Sequence, residues 1–159
     1  NPTVNLNHDT LAVLYRAYLQ ARYLWGMNGH WQPVCIGAPT PELEAALPGA
    51  DCFAMLSAWN PPSPPPPEAA NRAADDRLAD AIRASGREGV PGFASAPNRT
   101  WREPNWVIPG IAPAELDTLA REFGQLGTLY WKRGQPVRLR MDAAQPPGIE
   151  PHPHVDWIQ

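Results

Sequence analysis

Residues 52–59, CFAMLSAW, are apolar on both alternating sides of an extended chain: Cys52, Ala54, Leu56 and Ala58 on one, Phe53, Met55 and Trp59 on the other. Such a strand belongs in the middle of a sheet. Downstream, Glu68 to about Ser85 reads as a helix whose buried stripe is Ala70, Ala74, Leu78, Ala81 and Ile82, closed by Gly86. GVPGFASA follows, in which Pro91 removes a ladder donor and so favours an edge strand. WREPNWVIPG is a further, largely apolar strand. APAELDTLAREFG opens with Pro113, carries Leu116, Leu119, Ala120 and Phe123 on one stripe, and ends at Gly124. TLYWKRGQPVRLRM gives a strand, a turn at Gly134 and one more strand.

From Cys52 the order is therefore strand, helix, strand, strand, helix, strand. That is the split βαββαβ pattern of a ferredoxin-like α+β sandwich, over about residues 52–141, with a largely antiparallel sheet. In this topology the first and third strands are central and the second and fourth are edges. Ahead of it, Asp9 or Thr10 caps a helix with Leu11, Leu14, Tyr15 and Tyr18 on one face. Asn28-Gly29 between apolar runs signals a hairpin of strands at about 21–26 and 30–36. Thr40-Pro41 starts a short helix through Leu47. Helices are expected on one face of the sheet, with the amino-terminal helix and hairpin extending the sheet or covering its other face. One domain over residues 1–141 is expected, followed by a proline-rich tail over 142–159 that is ordered only if something pins it.

The 159 residues suffice for a core without disulfides or metals. No apolar run approaches the ~18 residues of a membrane span, so no membrane association is expected. NPTVNLNHDT lacks the basic-then-apolar pattern of an export signal, and a cytoplasmic location is the expectation. Cys35 and Cys52 lie in apolar runs and read as reduced packing residues. The net charge of −3 lacks the broad basic footprint of a nucleic-acid binder.

Polar residues interrupt this apolar frame. Asn60 ends the central strand and is kept extended by Pro61 and the proline arm beyond it. Asn71, spaced 7 and 11 residues from Leu78 and Ile82, points toward the sheet. A right-handed crossover brings the helix start near the strand end, so Asn60, Asn71 and free helix amides converge on one polar pocket, with Arg72 as a cation at its rim. Glu103 lies within the other central strand, where a carboxylate is costly unless paired. Gln125 follows the second long helix and carries both donor and acceptor. Trp59 and Trp101 stand close enough to stack on a flat ligand.

SAWNP, Asn71-Arg72, WREPNWVIPGI and REFGQLGTLYW occur in this order, and over about residues 11–141 the chain resembles the bacterial domain-of-unknown-function family numbered three-two-nine-three. The resemblance picks out Trp59, Asn60, Pro61, Asn71, Trp101, Glu103, Pro104, Phe123, Gly124 and Gln125, and implies no activity. The chain departs from the family in its long proline run and in Asn105, where a small hydroxyl residue is more usual after Glu-Pro.

Each residue also has a structural reading. Asn60 serves equally well as an Asx-turn residue, Asn71 as a bond to a neighbouring loop, and Gln125 as part of helix termination. Glu103 is read first as the ion-pair partner of Arg72 or Arg102. His152, His154 and Asp156 alternate, but one such cluster in a tail is a weak metal signal, and no metal or cofactor is expected. The leading functional reading is a module that binds a small anionic or amide-bearing ligand. The second is an enzyme using Glu103 as general acid or base. A structural module comes next, in which an uncovered sheet face invites a homodimer. RNA binding ranks last, because WREPNWVI lacks the basic-Gly-aromatic pattern and the charge is acidic.

Overall fold

The computed structural model describes residues 7–59, 68–98 and 102–159. Among these residues, four helices and eight strands follow in the order α1 (His8–Gln20), β1 (Arg22–Met27), β2 (His30–Val34), α2 (Pro41–Ala46), β3 (Cys52–Leu56), α3 (Glu68–Ala84), β4 (Val90–Ser95), β5 (Arg102–Pro109), α4 (Pro113–Glu122), β6 (Gly127–Lys132), β7 (Arg138–Met141) and β8 (Val155–Trp157). The strands form one sheet ordered β2-β1-β4-β5-β3-β6-β7-β8. All neighbours are antiparallel except β7 and β8. The protein is thus α+β with a mostly antiparallel sheet.

Local chemistry accounts for the element ends. Asn7 caps α1, its Oδ1 accepting the Thr10 amide at 2.7 Å, so the cap lies ahead of the expected Asp9 or Thr10. Asn28 and Gly29 have φ of 55° and 81°, the pair of positive values that a type I′ hairpin turn needs. The hairpin extends the sheet on the β4 side.

Two apolar layers result. Ala54, Leu56 and Ile108 on one side of the sheet pack under Leu78 and Ile82 of α3 and Leu116 and Ala120 of α4. Phe53, Met55, Val107, Leu129 and Trp131 on the other side pack with Leu11 and Tyr15 of α1 and Leu43 of α2. β3 is central, as its double-sided pattern requires.

Three expectations are corrected. β4 and β6 are not edges, because β1 pairs with β4 and β7 pairs with β6. Pro91 is tolerated inside the sheet because β1 pairs only with residues 92–95 of β4, leaving Pro91 just beyond that ladder. Cys35 is exposed, since it lies past the end of edge strand β2. Cys52 is half-buried, its thiol donating to the Ile111 carbonyl at 3.3 Å.

The carboxy-terminal segment is pinned. β8 pairs in parallel with β7, Arg138 makes a two-pronged bond to Asp156 at 2.8 and 2.9 Å, and the Trp157 ring lies 5.0 Å from that of Tyr15. His152 Nδ1 accepts the His154 amide at 3.0 Å. Among the described residues no cluster of three or more metal-ligating side chains occurs.

Candidate functional site

At the carboxyl end of β3 the sheet changes from apolar to polar. β3 and β5 are registered through Leu56 and Trp106. That register ends at Leu56, and residues 57–59 form no ladder with β5. Side-chain bonds replace the ladder there: Ser57 Oγ donates to the Pro104 carbonyl at 3.0 Å, and the Trp59 amide donates to Ser57 Oγ at 3.0 Å. This is how Pro104, which has no N–H, fits in an inner strand: β3 has left the ladder beside it. On the β6 side, Gln125 Nε2 donates to the Trp59 carbonyl at 2.8 Å, tying the end of α4 to the end of β3.

Glu103, Asn105 and Val107 alternate onto the α1 side of β5, where Val107 belongs to the apolar layer. Ala94 and Gly92 of β4 lie directly opposite Glu103 and Asn105. Burial raises the phenols of Tyr18 from α1 and Tyr23 from β1, and the nearby Glu103 carboxylate adds to both shifts. The Tyr23 hydroxyl donates to the Tyr18 carbonyl at 2.6 Å. The Tyr18 ring covers Gly127, where a Cβ would come within 3.0 Å of three ring carbons.

In this setting Glu103 is pushed up to about 8 by burial. The expected ion pair is not made: Arg72 bonds Glu68 at 2.7 Å on the solvent side of α3, and Arg102 lies 3.8 Å from the centre of the Phe93 ring. Arg102 and Glu103 are consecutive strand residues and so project to opposite faces, which rules out their pairing. A carboxyl buried without a cation stays protonated at neutral pH, and in that form it donates as well as accepts. Two further buried donors, Asn105 Nδ2 and Trp59 Nε1, have no acceptor among the described residues.

Asn71 is buried on α3, as its spacing implies. One turn later Asp75 accepts the Trp106 indole N–H at 2.9 Å, and burial raises its carboxyl above the ordinary value. Four helical residues advance about 6 Å, close to two strand residues, so Asn71 lies near the level of Pro104. It approaches from the α3 layer, whereas Glu103 occupies the α1 side. Arg72 faces solvent with its side chain 72% exposed, one residue round the helix from the buried stripe. Asn60 and Trp101 lie outside the described residues.

Asn105, Tyr18 and Tyr23 are additions to the site that sequence reasoning did not select. The i, i+2 spacing of Glu103 and Asn105 was available as a signal, since strand residues two apart share a face. The tyrosines come from elements whose placement no local pattern specifies. A separate shallow groove, lined by Ala79, Ile82, Arg83, Glu88, Gly89 and Trp106, lies on the α3 side and includes none of the polar row.

Residues 56–127 match the family model described as a protein of unknown function, DUF3293. The DUF3293 match starts at Leu56 and ends at Gly127, so it takes in the carboxyl end of β3, then α3, β4, β5 and α4. Trp59, Asn71, Glu103, Asn105 and Gln125 all fall inside it, while Tyr18 and Tyr23 fall outside. No curated protein and no solved structure matches the chain. No helix among the described residues is long and apolar enough to cross a membrane.

Proposed function

We propose that the protein binds a small anionic or amide-bearing ligand at the carboxyl end of β3. The observation that carries this reading is the pair of buried donors without acceptors, Asn105 Nδ2 and Trp59 Nε1, beside a carboxyl with no ion-pair partner among the described residues. Buried polar groups are normally satisfied, and each one left alone costs about 1–3 kcal/mol. A ligand acceptor meeting either would recover that cost. Gln125 holds the strand end in place, while Asn71 lies in the α3 layer on the other side of the sheet from Glu103. A ferredoxin-like unit over β3–β6 is part of the proposal, supported by the order β4-β5-β3-β6 with antiparallel neighbours.

A second reading is an enzyme in which Glu103 acts as general acid or base, favoured by its protonation near neutrality. Against RNA binding stands α1, which packs over the sheet face that RNA-recognition domains use for base stacking. Screening nucleotides, amino acids, carboxylates and carboxamides by thermal shift tests the binding reading. Hits are expected to move the Trp59 indole and Asn105 side-chain amide resonances in NMR spectra. A panel in which no compound moves either resonance refutes it. A Glu103→Gln variant that keeps a detected turnover removes the enzyme reading.

A further inference from the structure

The charges around the polar row narrow the ligand class. Asn105 is only 5% exposed, and its Nδ2 has no acceptor among the described residues. Facing its neighbour Glu103 are the neutral phenols of Tyr18 on α1 and Tyr23 on β1, and Ala94 on β4. Four arginines of the surrounding elements are engaged elsewhere. Arg72 pairs with Glu68, Arg102 covers Phe93 on the other face, Arg121 pairs with Asp142, and Arg140 pairs with Asp117. Among the described residues no ion pair involves Glu103.

A carboxylate brought there would lose its hydration without gaining a counter-charge, which is far costlier than burying a neutral carbonyl. A carboxamide meets the same donors with its oxygen and offers an N–H to the Glu103 carboxyl oxygen. Building on the binding reading, we propose that the ligand presents a neutral amide edge, such as a primary carboxamide, and that Asn105 selects it over the corresponding carboxylate.

The experiment titrates matched pairs, benzamide with benzoate and nicotinamide with nicotinate, followed by the Trp59 indole and Asn105 side-chain resonances. The amide of a pair is expected to bind about tenfold or more tightly than the acid. Asn105→Leu, an apolar near-isostere, is expected to lose that binding while folding at least as stably, because the buried donor has gone. If that variant does not fold, Trp59→Phe, which keeps the ring and removes the N–H, is expected to weaken amide binding in the same direction. An acid that binds as tightly as its amide overturns the selectivity and leaves the binding reading standing. Unchanged amide affinity in folded Asn105→Leu or Trp59→Phe overturns the role of these donors. No resonance shift with any compound overturns both.

Discussion

Replacing Glu103 with glutamine should flatten the dependence of stability on pH and stabilise the protein above neutrality. In the fold the carboxyl is pushed up to about 8 by burial, against 4.5 for an exposed glutamate. The native state therefore holds a proton that the unfolded chain releases. The contribution is fully present below the unfolded value and is lost as pH rises through the folded one. At about 1.4 kcal/mol per pKa unit, the loss between about pH 5 and pH 7.5 is about 3 kcal/mol. The groups facing Glu103, Tyr18 and Tyr23, are both raised and stay neutral throughout this range. Urea unfolding of both proteins at several pH values, read as the difference between them, isolates the Glu103 contribution. The difference should grow with pH up to about 8 and then level off. A difference that stays constant, or that favours wild type increasingly as pH rises, would refute the assignment of Glu103 as a neutral buried carboxyl.

Gly92→Ala should destabilise by about 3 kcal/mol in denaturant titration, because the added Cβ would lie 2.5 Å from the Leu24 carbonyl oxygen of β1 and 2.8 Å from Met55 Cε. Arg133→Lys should cost about 2 kcal/mol by the same measurement. The guanidinium bonds the carbonyls of Ala50 at 2.7 Å, Glu44 at 2.9 Å and Leu47, a set that an ammonium cannot reproduce. Gln125→Ala should cost about 1 kcal/mol, and hydrogen exchange should quicken at the end of β3, since the tie to the Trp59 carbonyl is lost. Asn28→Ala should cost about 1–2 kcal/mol in thermal unfolding, because its φ of 55° penalises a Cβ that lacks a local hydrogen bond.

Local sequence was enough to determine the helices, the strands up to Met141 and the interior position of β3. The two-sided apolar run 52–59, the Asn28-Gly29 turn and the stripe at Leu78 and Ile82 each act over a few residues, where backbone sterics and hydrophobic periodicity leave little choice. The burial of Asn71 was legible on the same ground. Neighbour relations were not. Pro91 reads as an edge signal until β1 is seen to stop at Gly92, and the proline-rich tail reads as solvated until Arg138 and β7 hold Asp156 and β8. The protonation of Glu103 is likewise a tertiary property. Residue type marked it as costly to bury and suggested an arginine partner, but strand alternation sends Arg102 to the other face, and α1 and β1 supply tyrosines in its place. Desolvation depends on what surrounds a group on every side, and those surroundings come from segments some eighty residues apart, which chain-local patterns cannot encode.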